Sequence, residues 1–567
     1  ATPTTAPAPT ATPTVAKVTP SGSIRVAVTD VQPPAGTPRL CTSNCTEDSV
    51  NMSFLETPYR TVYGDLTGDK PLEAVLAVGW TLDPGLKFAD LKLRQGVPFH
   101  SGWGEMTAED FAFSLNDANR AVTPDSISGQ AGELASNFAK IEVLDKYTAR
   151  INFSVYDARW LRFRISNFEE SIGVTSKAVF DKHGAEGMRT ILVGTGPYMI
   201  KEWVVKDKTV LEAVPNHWRK TAAVKQITII EVREASARRA MLETGEVVAA
   251  NPALKDWPAL LDKGFKALSE SGYEQYNNIA FGGNWWEKNS ARTGQPLVRK
   301  RDITKPWIGN PYELGDTYDE KTPSMQKSLK VRLALAHAVD RQGLSKSITS
   351  GIGKPNYFGY EPPFDSKFFK KGKFPDGWEI PYDIAKAKQL LKEAGYEKGF
   401  EMDFWVGPTG LPVELMEAIA GTWQAELGVK TNLIKTVYEV FRPSLVNRTT
   451  DIPFMGCGDG NSLNNPVDAA RGFTMSSWSD GGYGVGMELP FAADNYKTTA
   501  QDPDAQKRIQ ANIAFIQKSI DWGQCVGVVG APGYSLYNTK IIAEWKPMPV
   551  SNGGLNNFNN FESIVLK

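Results

Sequence analysis

Histidine and cysteine are scarce in this chain, four of each in 567 residues, which leaves little material for metal or thiol chemistry. His100, His183, His217 and His337 do not cluster, whereas a zinc site needs several Cys or His ligands at short fixed spacings. No cofactor is expected. An excess of either charge is also missing: 63 Lys and Arg stand against 64 Asp and Glu, and no basic run long enough to track a phosphate backbone occurs. Nucleic acid is not an expected partner. Long hydrophobic runs are absent too, since CVGVVG at 525–530 is soon broken by Pro532 and Gly533, far short of the roughly 18 apolar residues that span a bilayer. The signatures HExxH and GxSxG and the Walker loop do not occur. What is present is an ordinary globular composition, 41% apolar and 22% charged, at a length that calls for roughly two to four domain-sized units.

The few cysteines are informative by position. Cys41 and Cys45 lie close together in CTSNC, where a local disulfide is expected, with free thiols or a pair of metal ligands as alternatives. Cys457 and Cys525 sit on separate apolar segments, and the sequence leaves their bonding open. An exported chain would permit both bonds. Residues 1–20 hold little besides Ala, Thr and Pro, so they build no core and are expected as an extended tether of up to roughly 60 Å, a processed remnant being the alternative.

Beyond the tether, strand and helix patterns alternate. In residues 88–113, FADLKLRQGVPFHSGWGEMTAEDFAF, Leu91, Leu93 and Val97 share a strand face, Gly102 and Gly104 mark a turn, and Thr107 with Asp110 forms a capping box before Phe111, Leu115 and Ala118. Residues 141–153 suit a hairpin turning at Asp145 and Lys146. In GTGPYMIKEW at 194–203 the glycines precede a strand, not a helix, so a structural turn is expected instead of a phosphate loop. Residues 237–250 read as a helix closed by Gly245 and followed by a strand, and NNIAFGGN at 277–284 as a strand. Residues 285–325 form a long connection rich in Gly, Pro and charge. Residues 327–344 place Val331, Leu335, Ala338 and Val339 at helical spacing, with Arg332 and Asp340 on other faces, so one helix is predicted. Residues 382–400 predict a second, capped by Asp383 and ended by Gly395. The succession EMDFWVG, VELMEAIAGTWQAELG, VKTNLIKTVY is strand, helix, strand, and indicates a mostly parallel sheet.

Five segments, in this order, resemble the signatures of the extracellular solute-binding proteins of bacterial ABC importers, family 5, the peptide- and nickel-binding type. They are LRQGVPFHSG with TAED, GTGPY, NNIAFGGN, VRLALAHAVDR, and YDIAKAKQLLKEAGYEKGF. The resemblance implies an α/β, two-lobed periplasmic-binding-protein-like fold of type II with an extra subdomain and a cleft that closes by hinge motion. Lobe I would comprise residues 21–276 plus 530–567, with an inserted subdomain at about 59–195, and lobe II residues 277–529. It further implies a monomer, not an enzyme, that captures a small polar solute and delivers it to ABC permease subunits. A lipid anchor upstream of residue 1 would hold it at the outer face of the cell membrane or in the periplasm. Val248 departs from the family, which carries an acidic residue near that place, and the connection 285–325 is longer than usual.

Candidate ligand contacts follow from the same reading. In FMGCGDGN at 454–461 an apolar strand runs into a glycine-flexible loop, so the Asp459 carboxylate, with Cys457 and Gly458 beside it, could face a crevice among backbone donors, and the family resemblance implies that it pairs with a ligand ammonium. Peptide binders of the family have a similar "G-W-x-x-D" stretch, and Asp459 falls at its acidic place, although Cys457 and the glycines replace the usual aromatic. A loop aspartate capping its own turn is the competing reading. Asn284, Trp285, Trp286, Trp405 and Trp478 sit at or after strand ends, where flat rings suit apolar side chains or sugars. A di- or oligopeptide is the first expectation and an oligosaccharide the alternative. A serine hydrolase using Ser324 and Lys327 of SMQK is a further alternative of another class, and it lacks the accompanying K-T-G strand.

Overall fold

The computed structural model describes residues 18–31, 33–41, 50–63, 70–168, 171–268, 275–299, 301–357, 376–408, 410–456, 486–502, 504–533, 535–549 and 558–567. Contacts divide the chain into two units, Ala1–Ser271 with Gly533–Lys567, and Gly272–Pro532. The chain therefore passes from one unit to the other twice, at 271/272 and 532/533.

The first unit opens on β1 (Ser21–Val28), whose Ile24, Val26 and Ala27 are buried. A four-stranded antiparallel sheet follows, in which β2 (Phe88–Leu93) pairs with Ala77–Leu82 on one side and Thr148–Phe153 on the other, with Phe138–Asp145 outermost. Strand alternation is visible in β2: Ala89, Leu91 and Leu93 are buried, while Asp90 turns to the Arg150 guanidinium at 2.7 and 2.9 Å. The predicted capping box forms at α1 (Ala108–Ala118). Thr107 Oγ1 accepts from the Glu109 amide at 3.3 Å, and Asp110 accepts from the Thr107 amide at 2.9 Å. Phe111, Leu115 and Ala118 then pack inward.

β1 returns at the centre of a seven-stranded sheet with β3 (Tyr198–Val204) at one edge and β4 (Val224–Glu231) beside it. The order is Phe265–Ala267, Leu536–Asn538, Ala249–Ala250, β1, β4, Lys208–Ala213, β3. β1 runs parallel to β4 and to Ala249–Ala250, and α2 (Ala235–Thr244), ended by left-handed Gly245, makes the crossover. Leu536–Asn538 comes from the far end of the sequence, which is why this unit is discontinuous.

The second unit is built on a six-stranded sheet. In chain order its elements are β5 (Gln275–Phe281), α3 (Pro323–His337), α4 (Arg341–Ile348), α5 (Ile384–Glu393), β6 (Glu401–Val406), α6 (Leu411–Leu427), β7 (Lys430–Lys435), β8 (Pro453–Met455) and β9 (Cys525–Ala531). The sheet order is Lys354–Pro355, β9, β5, β8, β6, β7. β6 is parallel to β7 and β8, as the strand–helix–strand pattern predicts, while β5 runs antiparallel to β8 and β9.

Two expectations need correction. Residues 327–344 are two helices, because the Asp340 side chain accepts from the Gly343 amide at 2.9 Å and starts α4. Arg332 does not lie on an outer face. It is fully buried, donating to Trp522 O at 3.0 Å and Trp307 O at 2.9 Å. Burial pulls its pKa down to about 9. The long connection before α3 forms no helix among its described residues, yet Trp307 and Ile308 are buried in it, and Trp307 Nε1 donates to Gly282 O at 3.1 Å.

Candidate functional site

In a sheet with parallel strands, ligands gather where the carboxyl ends of the strands open into loops. β6, β7, β8 and β9 all end at the same edge of the second unit's sheet, since β8 and β9 both oppose β5 and β8 runs with β6. β5 begins there, paired Gln275 to Ala531 with the last residue of β9, so the chain enters and leaves the unit at this edge. A register shift between Asn277 and Asn278 interrupts β5 close to its start. Such bulges are over-represented at functional edges. Asn277 Nδ2 donates to Val529 O at 3.1 Å, and Asn356 Nδ2 to Asn278 Oδ1 at 2.7 Å, so polar groups are built into the strands here.

Trp405 stands at this edge, in register with Phe454 of β8. Its Nε1 donates to Thr436 Oγ1 at 2.9 Å, and its ring lies flat on Phe441 with centroids 4.4 Å apart and 4° between planes. Tyr438 packs on the same indole at 6.2 Å and accepts a hydrogen bond from Arg442 Nη1 at 2.9 Å. Thr436, Tyr438, Phe441 and Arg442 were not marked by the sequence. The available signal is their position directly after a predicted parallel strand. Cys457, Gly458, Asp459 and Trp478 lie outside the described residues. The last described residue of that segment, Gly456, is bonded through its amide to Asn278 O at 2.8 Å.

Asn284, Trp285 and Trp286 are not brought to this edge. They follow β5, which ends where β8 begins, with Phe281 paired to Pro453, so they lie at the opposite end of the sheet from Trp405. All three are fully buried. Trp285 Nε1 donates to Thr450 O at 3.1 Å, Trp286 Nε1 to Gly309 O at 3.0 Å, and Asn284 Nδ2 to Phe281 O at 3.0 Å. Close by, buried Arg448 is bonded to buried Glu488 and lies 5.8 Å from the Trp285 ring. Ser324 and Lys327 do not form a nucleophile–base pair. Ser324 Oγ accepts from the Asn310 amide at 2.9 Å, and Lys327 Nζ lies 4.7 Å over the Tyr396 ring. Cys41 and Cys525 are both disulfide-bonded, whereas Cys45 lies outside the described residues. Among the described residues no group of His, Cys, Asp and Glu could hold a metal ion.

In the first unit the signature segments converge on a turn. Gly194 and Gly196 press against the chain at 53–54, where an added Cβ would stand 1.9 Å from Phe54 O and 2.5 Å from Ser53 O respectively. His100 Nε2 donates to Gly196 O at 2.8 Å, His217 Nε2 and Trp218 Nε1 to Thr195 O at 2.7 and 3.0 Å, and Thr195 Oγ1 to Glu56 Oε2 at 2.9 Å. Arg219 spans Glu56 and Glu562, and Arg60 also reaches Glu562 at 2.7 Å. Burial pushes the Glu562 carboxyl up, but the two guanidiniums outweigh it and hold it well below the usual carboxylate range. The network borders a small cavity of about 40 Å³ lined by Met52, Leu55, Tyr198 and Phe561 among others. Its charges are paired with one another. These segments build a scaffold, in keeping with the structural reading of GTGP.

Comparison with known proteins agrees with this architecture. The family model for bacterial extracellular solute-binding proteins, family 5 Middle, matches residues 72–477. The glutathione-binding protein GsiB of Salmonella paratyphi A (strain ATCC 9150 / SARB42) is 28% identical over 391 residues, 68% of this chain. The match spans 65% of the length of that relative. Among solved structures, the Helicobacter pylori periplasmic binding protein DppA in complex with peptide STSA superposes with a TM-score of 0.72 at 18% identity, covering 96% of this chain and 98% of that one. The Bacillus subtilis oligopeptide-binding protein AppA, in complex with a nonapeptide, gives 0.71 at 16% identity, covering 96% and 99%. Family match, fold and signature turn agree: the chain belongs to the bacterial extracellular solute-binding proteins, family 5.

Proposed function

We propose that this chain is the substrate-binding component of an ABC importer and captures a short peptide at the carboxyl edge of the second unit's sheet. The observation that carries the reading is the convergence of four strand ends, the bulged start of β5 and Trp405 on one edge. An extended peptide is held largely through main-chain hydrogen bonds, and a strand-end edge with loop amides supplies them. Asp459 takes the peptide ammonium and sets its direction. The relatives' printed ligands, glutathione, a tetrapeptide and a nonapeptide, support the class. No catalytic step is assigned, and the engagement of Ser324 by the Asn310 amide and of Lys327 by the Tyr396 ring supports that. The bonded state of Cys41 and Cys525 supports an extracytoplasmic setting. A lipid anchor upstream of residue 1, with residues 1–20 as tether, and a monomeric state complete the proposal.

Native mass spectrometry of freshly purified protein, followed by calorimetry with glutathione, dipeptides and tetrapeptides, tests it. A retained peptide, and a peptide affinity lowered at least roughly tenfold in a folded Asp459→Ala variant, are expected. Retention of a saccharide, with affinity lost in Trp405→Ala and kept in Asp459→Ala, would overturn the peptide reading.

A further inference from the structure

Two imidazoles grip the 194–196 turn of the first unit, and neither has a place for a second proton. His217 donates from Nε2 to Thr195 O at 2.7 Å, while its Nδ1 accepts from the amides of Arg219 at 3.4 Å and Lys220 at 3.3 Å. That pattern fixes one neutral tautomer, and a proton on Nδ1 would face two donors. His100 donates from Nε2 to Gly196 O at 2.8 Å, and its buried Nδ1 has no hydrogen-bond partner. A proton there would be a buried donor without an acceptor. The backbone repeats the tie, with the His100 amide donating to Gly194 O at 2.9 Å and the Gly196 amide to Phe54 O at 3.0 Å.

We propose that this cluster is an acid-operated latch: protonation of His100 releases the 194–196 turn from the chain at 53–56 and opens the adjoining cavity, while the central sheet of the unit stays folded. The charged groups around the pair are bound to one another. From 51–57 comes Glu56, which favours a charged His100, but that carboxylate already accepts from Thr195 and from Arg219. From the segment after His217 comes Arg219, and from the C-terminal segment Glu562, which is shared with Arg60. His217 opposes a proton on His100. Release also offers new carbonyl oxygens to water at three consecutive residues, so the opened turn is hydrated, not stranded.

The sign follows from linkage. Burial, the largest influence, holds His100 at about 4 against 6.5 for an open chain, so its contribution to closure is complete above pH 6.5 and is lost as pH falls toward 4. Between about pH 7.5 and about pH 4.5 the open form gains roughly 70-fold from this one group.

Hydrogen-exchange mass spectrometry of the full chain tests the latch without reference to any ligand. After correction for intrinsic rates, the amides of His100 and Gly196 are expected to lose about 70-fold in protection over that pH interval while β1 and β4 do not. His100→Gln keeps a donor within reach of Gly196 O and cannot be protonated, so its turn is expected to lose that response. Unchanged protection in the native chain, or an equal loss in His100→Gln, overturns the proposal. If His100→Gln does not fold, the native imidazole signals decide: titration of His100 near pH 6.5 with the turn still protected overturns it, and titration near 4 together with loss of protection upholds it.

Discussion

Alanine at Gly194 or at Gly421 replaces one Cα hydrogen with a methyl group, and the structure gives the two changes opposite signs. At Gly194 a methyl group would stand 1.9 Å from Phe54 O, a backbone atom that cannot swing aside. Gly194→Ala is expected to cost more than about 3 kcal/mol, read as a lower urea midpoint for the first unit. Gly421 lies exposed within α6, where a Cβ meets nothing within 4 Å. Gly421→Ala is expected to stabilise by about 0.5–1 kcal/mol, because a helix interior ordinarily disfavours glycine. The role of the first glycine was legible in sequence, since GTGP precedes a strand and so reads as a close-packed turn. Its contact with 53–54 was not legible, because nothing local names a partner some 140 residues away. The same limit applied to His100, a signature residue without an evident task until the turn it holds was seen.

Elements were more readable than their directions. The caps at Thr107 and Asp383 are both occupied by their own side chains, and the glycine stops at 245 and 428 are left-handed, because these signals are local. Trp285 and Trp405 carry the same signal, an aromatic at or after a strand end. What separates them is that β5 is antiparallel to β8 whereas β6 is parallel to it, so the two rings fall at opposite edges. Strand direction depends on which neighbour a strand finds, and that is a tertiary property. Arg332 shows the same limit, because its helical position predicts an outer face until the carbonyls of Trp307 and Trp522 arrive from other segments. Those carbonyls need a rigid fork, and a lysine ammonium cannot span both. Arg332→Lys is expected to destabilise the second unit by about 2–4 kcal/mol, measured as increased exchange of the β9 amides with β1 unaffected. Equal loosening of β1 would mean that Arg332 does not act through the second unit.

At the scale of the whole molecule, a disulfide-bonded cysteine is found in each unit, Cys41 in the first and Cys525 in the second. The local pairing of Cys41 with Cys45 expected from CTSNC leaves Cys457 for Cys525. In the chain-entropy account the stabilisation grows with the loop closed. A loop of a few residues at Cys41 is worth about 2 kcal/mol, and one of roughly 70 residues at Cys525 about 4 kcal/mol. Reduction is therefore expected to weaken both units, the second about twice as much as the first. Urea-dependent hydrogen exchange reads the two separately, with β1 reporting on the first unit and β6 on the second. Peptide mapping of the oxidised chain supplies the pairing itself. If the bonds instead join Cys41 to Cys457 and Cys45 to Cys525, each loop closes across the passage from one unit to the other. Reduction would then weaken both units equally. The local pairing leaves the two chain passages near 271/272 and 532/533 as the covalent links between the units.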